Sequence, residues 1–219
     1  MSIYHDVIYR NYPPSTFPEK LAKVIADRYF SGNPGYCEIC HRRGKELLDI
    51  GCGKGEYLKA FRNYGYKVHG IDNECNIEEE IPLQSDSIDY IFCKSVIEHI
   101  QDPESLLRDM KRVLKPKGRF VILTPAWEYN YFDFYNDPTH VKPYHRKGLQ
   151  DLLLLHEFRN VKVIYFYYLP QVWKRSWLIP LIRPLSLLKH FKWKDQEETR
   201  HRPFIRFSQE VQLLATGQK

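Results

Sequence analysis

The chain reads as an α/β protein with a doubly wound, mostly parallel sheet and an antiparallel last strand, and three observations predict it. From Lys45 onward, short apolar runs alternate with helical stretches, the pattern of crossover units that cover both faces of a parallel sheet. The stretch Leu47-Leu48-Asp49-Ile50-Gly51-Cys52-Gly53-Lys54-Gly55-Glu56-Tyr57-Leu58 joins an apolar strand ending in an acid to three alternate glycines and a helix start. Two strong β runs, Val161 to Leu169 and Gln209 to Thr216, flank a basic segment and pair as an antiparallel hairpin with a long insertion at its tip.

Taken in order, residues 1–16 are rich in Tyr, Pro and Asn without a period and read as an extended arm, either a tail or a flap across a ligand. Phe17 to Phe30 is a helix, with Pro18 in its first turn and Leu21, Val24 and Ile25 on one face. Ser31-Gly32-Asn33-Pro34-Gly35 stops it. Strands follow at Glu46 to Ile50, Lys67 to Ile71, Ile88 to Cys93 and Arg119 to Leu123, with helices at Glu56 to Asn63 and Pro103 to Leu114. Asp102 is positioned to cap the second of these, and Lys115-Pro116-Lys117-Gly118 to end it. Arg146 to Glu157 is a further helix with Leu149, Leu152, Leu153 and His156 on one face. The domain organisation is thus an arm and helix over 1–44 and one domain over 45–219, carrying a basic insertion at 170–207.

Composition narrows the function classes. The chain has 219 residues, 43% hydrophobic and 27% charged, with no apolar run of about 20 residues to span a bilayer. Its start lacks the basic-then-apolar profile of a secretory signal, so a cytoplasmic location is expected. Five cysteines, an odd number, argue against a disulfide framework. Cys37-Glu38-Ile39-Cys40-His41 has metal-like spacing but no second half-site, and reads as a loop with two thiols. Between Val172 and Arg206 nine basic residues face three acids, which accounts for the whole formal charge of +6.

The glycine turn lets backbone approach a ligand more closely than any Cβ permits, and the new helix offers N–H groups beside it. With Gly70-Ile71-Asp72, Ile81-Pro82-Leu83, Asp86-Ser87-Ile88-Asp89-Tyr90-Ile91, Val96-Ile97-Glu98-His99-Ile100 and Leu114-Lys115-Pro116-Lys117-Gly118-Arg119, it resembles the class I S-adenosylmethionine-dependent methyltransferases, in particular those acting on small molecules and carbohydrates. The resemblance covers about residues 45–169 and the last strand. It implies a Rossmann-like fold, S-adenosyl-L-methionine as cofactor, and a cofactor site at Asp49, Gly51, Cys52, Gly53, Gly55, Tyr57, Asp72, Asn73, Cys93, Lys94 and Ser95. Asp72 is placed to accept from both ribose hydroxyls, since open α/β sheets bind ligands at the carboxyl ends of their strands.

One departure is visible. Only Asn73 to Ser87 separates the ribose acid from the next sheet strand, where relatives usually fit a further helix and strand, so the sheet is expected to be shortened between the family's strands 2 and 4. Asn76, Ile77 or Glu78 stands where the adenine-contacting acid is expected.

Methyl transfer to a hydroxyl benefits from a base. His140 is the first candidate for base or substrate ligand and His99 the second, and each also reads as a capping or core histidine. Trp127, Tyr131, Asp133, Asp137 and His145 fall where the family builds its acceptor pocket, suited to rings and hydroxyls. The Asp137 to His140 region resembles enzymes that modify sugars of surface polysaccharides. Ser95 to His99 is similar to the metal-associated E-x-x-E-H of quinone O-methyltransferases, with serine for the first acid, and no metal is predicted.

The expected function is therefore O-methylation of a small molecule or sugar. The alternatives are an NAD-binding oxidoreductase, whose G-x-G-x-x-G is broken here by Glu56, and a nucleic-acid methyltransferase, for which no base-flipping motif is present. Pro180 and Pro184 break any long amphipathic helix in the basic insertion, which favours a lid or homodimer contact over a peripheral membrane contact through 172–194.

Overall fold

In the computed structural model, residues 16–30, 42–72, 80–187 and 210–219 are described, apart from the side chains at 176, 183 and 185–187. The strands are β1 (Glu46–Ile50), β2 (Lys67–Ile71), β3 (Ile88–Lys94), β4 (Leu114–Pro125), β5 (Arg159–Tyr167) and β6 (Val211–Gln218). They form one sheet in the order β2-β1-β3-β4-β6-β5. Pairs β1–β2, β1–β3 and β3–β4 are parallel, whereas β6 runs antiparallel to both β4 and β5. The expected terminal hairpin is present, with β6 set between β5 and β4. No strand among the described residues lies beyond β2, in keeping with the short Asn73 to Ser87 connection.

The run Glu-Leu-Leu-Asp-Ile makes β1 the centre of the parallel half because both of its faces can be covered. Leu47, Leu48 and Ile50 are fully buried, as is Ile91 of β3. At the edge, β2 exposes Lys67, His69 and Gly70, consistent with its single partner. Helix α1 (Phe17–Ile25) buries Leu21, Ala22 and Ile25, then widens into a π-turn, Ala26–Phe30. That turn delivers Phe30 onto Phe61, Tyr66 and Tyr90, the nearest ring centroid 4.7 Å away. Helices α2 (Glu56–Asn63), α3 (Glu104–Val113) and α5 (Arg146–Leu155) follow the apolar periods read from the sequence. Pro103, not Asp102, takes the cap position of α3, and Asp102 Oδ1 accepts from the Glu104 N–H at 3.1 Å from one residue earlier.

Lys115-Pro116-Lys117-Gly118 follows the end of the helix as expected, but the strand starts earlier than Arg119. The helix ends at Val113, and these residues belong to a twelve-residue β4. Ile88 pairs with Leu114 and Tyr90 with Arg119, so the four residues bulge out of the ladder, with Lys117 at φ 67°. Lys115 also reaches Asp89 at 2.7 Å, an anchor that fixes the bulge against β3.

The aromatic stretch after β4 folds into a short helix α4 (Trp127–Asn130) and a 3-10 turn, Phe134–Asn136. Asn130 is buried, and its Nδ2 donates to the carbonyls of Ala126 and Val211, both at 2.8 Å, joining the exit of β4 to the start of β6. The insertion begins as α6 (Pro170–Lys174), a 3-10 turn Ser176–Leu178 and α7 (Ile179–Leu187), a nine-residue helix with Pro184 inside it. Trp173 is buried, whereas Trp177 and Leu181 are exposed. No described helix is long and apolar enough to cross a membrane. Residues 1–15, the Cys37-x-x-Cys40-His41 stretch, Asn73, Asn76 to Glu78 and six of the nine basic residues of the insertion lie outside the described residues.

Candidate cofactor and acceptor site

The strand ends set the first half of the site. Ile50 pairs with Ile71 on one side and Cys93 on the other, so Gly51, Asp72 and Lys94 emerge side by side at the carboxyl edge of the parallel strands. The N–H groups of Gly51 and Cys52 donate to the Ile71 carbonyl at 2.8 and 3.0 Å, which folds the turn over the end of β2. Gly51, Gly53 and Gly55 have φ of 77°, 48° and 76°, the left-handed region that a side chain resists. Gly51 is further constrained, because a Cβ there would stand 2.2 Å from Cγ2 of Val96. Gly70 supports the turn from below, since a Cβ on it would meet Leu58 and Cys52.

Asp49 lies beneath this turn, only 2% exposed, and its Oδ2 has no hydrogen-bond partner among the described residues. Burial pushes its carboxyl up to about 8, and the nearby Asp72 adds to the rise while Lys94 opposes it. Lys94 is gathered in by two rings, its Nζ 5.8 Å from the Tyr57 ring centre and 5.9 Å from that of Tyr168. Ser95 takes φ 55° and donates its N–H to the Leu123 carbonyl, turning the chain away from β3. Cys93 is fully buried, so its contribution is to the floor of the site. A glycine cradle that a Cβ would fill, above a buried carboxylate oxygen lacking a donor, fits a ligand carrying a cationic group on a slender chain. The methionine end of S-adenosylmethionine is such a group.

The second half begins two residues beyond Val96. Glu98 is 0% exposed; its Oε2 accepts from Thr124 Oγ1 at 2.8 Å, and its Oε1 has no partner among the described residues. Burial raises its carboxyl to about 7 against the pull of its hydrogen bonds. The Glu98 carbonyl accepts the N–H groups of Val141 and Lys142 at 2.9 and 3.1 Å, which lays the 137–145 loop across this turn. The His99 and His140 rings consequently lie 4.7 Å apart, centre to centre. His140 Nδ1 donates to the Phe134 carbonyl at 2.6 Å. His99 Nδ1 donates to Thr139 Oγ1 at 2.8 Å, and that hydroxyl donates onward to Asp137 Oδ1 at 2.6 Å. Burial and the neighbouring His140 hold His99 below the usual imidazole range, so at neutral pH it is uncharged with its lone pair on Nε2.

The rings proposed for the acceptor continue from this pair. Phe134 is buried and lies 4.5 Å from His140, and Trp127 meets Phe134, Tyr131, Tyr135 and His145 with centroids 5.5 to 6.5 Å apart. Tyr131, Phe132 and Tyr135 are exposed beyond them. Asp137 is thus drawn to the histidines, whereas His145 turns outward to Glu128, 3.2 Å away, and Asp133 accepts from Asn136 at 3.3 Å. Phe134, Thr124 and Thr139 were not legible as site residues, while Glu98, a charge inside Val96-Ile97-Glu98-His99-Ile100, was the visible signal.

Comparison with known proteins follows the same outline. A family model described as a methyltransferase domain matches residues 20–163, more than half of the chain. The chain is 30% identical over 103 residues to the ubiquinone biosynthesis O-methyltransferase of Aeromonas salmonicida, covering 37% of this chain and 43% of that one. It is 29% identical over 136 residues to the uncharacterized methyltransferase YcgJ of Bacillus subtilis, covering 48% and 52%. The matches therefore span about half or less of these curated relatives. A crystal structure of an S-adenosylmethionine-dependent methyltransferase from Archaeoglobus fulgidus superposes with TM-score 0.63 at 21% identity, covering 99% of this chain and 100% of that one.

Proposed function

We propose, from the premise that this chain belongs to the class I S-adenosylmethionine-dependent methyltransferases, that it methylates a hydroxyl of a small-molecule or sugar acceptor held beside His99 and His140. The observation that carries the reading is the pairing of two imidazoles, 4.7 Å apart, at the 3-10 turn that follows Val96, the residue packed on Gly51. The named activity of the Aeromonas relative supports oxygen as the acceptor atom.

S-adenosylmethionine supplies, when bound, an electrophilic methyl group on a sulfonium. Gly51, Gly53 and Gly55 admit its amino-acid end, and Asp49 offers a carboxylate oxygen to its amino group. Asp72 takes the ribose hydroxyls, while Lys94, held between Tyr57 and Tyr168, fixes the wall at the end of β3. On the acceptor side, Trp127, Tyr131 and Phe134 offer ring faces, and Asp137 a hydrogen-bond acceptor. His140 Nε2 takes the hydroxyl proton in this reading, with His99 second, since both rings already spend Nδ1 on fixed partners. Positioning of the two reactants supplies much of the remaining acceleration.

The test is a screen of sugar nucleotides, glycans and phenols for S-adenosylhomocysteine release, repeated with His140→Ala and His99→Ala. The expected result is turnover that falls about a hundredfold in His140→Ala with cofactor affinity unchanged. Unchanged turnover in both variants would show that these are not the bases. Binding of NAD(H) without affinity for S-adenosylhomocysteine would overturn the cofactor assignment as well.

A further inference from the structure

Glu98, His99 and His140 each offer one donor atom, and these three atoms lie within 4.8 Å of one another. With each Nδ1 turned to Thr139 or to the Phe134 carbonyl, the nitrogen each ring has left to offer is Nε2, and Glu98 adds a carboxyl oxygen. Three lone pairs facing one another repel unless a proton or a cation stands between them. Glu98 Oε1 sharpens the point, being an oxygen of a fully buried side chain with no donor among the described residues. We infer that Glu98, His99 and His140 form a mononuclear site for a first-row transition cation of the Zn2+ or Co2+ kind. The inference rests on reading this cluster as the place where the acceptor hydroxyl is activated, and it replaces His140 as the agent: with the cation bound, both imidazole nitrogens are ligands and neither takes the proton.

Three features beyond proximity match what such a site needs. First, the histidines are oriented from behind: His140 through the Phe134 carbonyl, and His99 through Thr139 and then Asp137, the arrangement that fixes the tautomer of metal-binding imidazoles. Second, Glu98 is fixed through its other oxygen by Thr124, which disposes it to bind through one oxygen. Third, the donors come from two segments clamped together by the Val141 and Lys142 N–H bonds to the Glu98 carbonyl, so the site is set by the fold. The composition selects the metal: two nitrogens and one oxygen favour borderline cations over Mg2+ or Ca2+, which prefer oxygen alone. Donors around one Zn2+ sit about 3.4 Å apart, within the 4.8 Å limit on the separations of these three atoms, so binding draws the three donors closer together.

The sequence motif with which this turn shares its Glu-His pair has an acid at the position of Ser95. Here Ser95 Oγ instead lies 3.2 Å from Lys94 Nζ, and the third donor is His140, from the far side of the acceptor loop. Three protein donors leave coordination positions for an acceptor hydroxyl, whose acidity the cation raises, its proton passing to solvent.

The decisive measurement is direct binding of Zn2+, Co2+ and Mg2+ to chelator-stripped full-length protein by isothermal titration, with S-adenosylhomocysteine titrated in parallel. The expected result is one Zn2+ or Co2+ per chain, bound at least tenfold more tightly than Mg2+. Glu98→Gln and His140→Ala should each weaken it tenfold or more while leaving S-adenosylhomocysteine affinity and the folded circular-dichroism spectrum unchanged. Stoichiometric binding that survives both substitutions would overturn the site, as would absence of Zn2+ and Co2+ binding or a preference for Mg2+. Methyl transfer by the stripped protein would leave the proposed function standing, because that reading uses the nitrogens without a cation.

Discussion

Val96 fills the space above Gly51 so completely that a Cβ on the glycine would lie 2.2 Å from Cγ2 of the valine. The contact ties the cofactor turn to the segment that carries Glu98 and His99. Gly51→Ala must both hold an alanine at φ 77° and displace Val96, and we expect it to lose roughly 1–3 kcal/mol of stability and most affinity for S-adenosylhomocysteine. Adding Val96→Ala should return only the part due to crowding, a non-additivity that urea melts of the two single and the double variant would expose.

Asp49 predicts a pH slope in cofactor affinity. With its carboxyl pushed up to about 8 by burial, the free protein carries this group largely protonated at pH 6 to 7. A ligand that brings a cationic amino group favours the carboxylate, so binding should release a proton. S-adenosylhomocysteine affinity should then rise with pH between 6 and 7.5, by up to about tenfold per unit. Titrations in buffers of different ionisation enthalpy measure the released proton, and Asp49→Asn should flatten the slope.

Asp72, the proposed ribose acceptor, has a counterpart in dinucleotide-binding folds, so the methyl donor is separated from a dinucleotide by binding and not by this residue. Asp72→Asn should weaken S-adenosylhomocysteine by about ten- to a hundredfold, the worth of hydrogen bonds to a charged acceptor. The parent protein should show no saturable binding of NAD(H) in the same titration.

Glu98 predicts a pH-dependent stability in metal-free protein. Its carboxyl is raised from 4.5 to about 7, so its contribution is fully present below about 4.5 and is lost as pH rises through about 7. Glu98→Gln keeps an acceptor for Thr124 and cannot ionise. The variant should therefore exceed the parent by about 3 kcal/mol at pH 8 and by under about 1 kcal/mol at pH 5, read from urea melts at the two values.

The parallel half of the fold was legible because it obeys short-range rules. The Leu47 to Leu58 stretch carries strand, turn and helix within twelve residues, and each piece lies where its pattern places it. The antiparallel hairpin was legible from its two β runs, though not the insertion of β6 between β5 and β4, which depends on long-range pairing. Lys115 to Gly118 read correctly as the end of the helix, but not as part of β4, because Asp89 and the β3 ladder hold them as a bulge. The histidines were legible as residue types in a cofactor-facing region. Their pairing was not, since it depends on the Glu98 carbonyl catching the backbone of Val141 and Lys142, a contact between segments some forty residues apart. The donor-less state of Glu98 Oε1 likewise follows from burial by tertiary packing.

The place of β6 has a consequence for how the protein is made. Every other described strand leaves the ribosome before Val211–Gln218, yet β5 has only β6 as a strand neighbour among the described residues. Until β6 emerges, the outer edge of β4 from Arg119 to Pro125 is an open template of N–H and C=O groups, and β5 has no ladder to join. A nascent chain can assemble β1 to β4 and must then keep that edge from pairing with another chain while the whole insertion is translated. Sheet completion is thus a late, long-range event, and the interval before it is the period in which this protein is most exposed to aggregation.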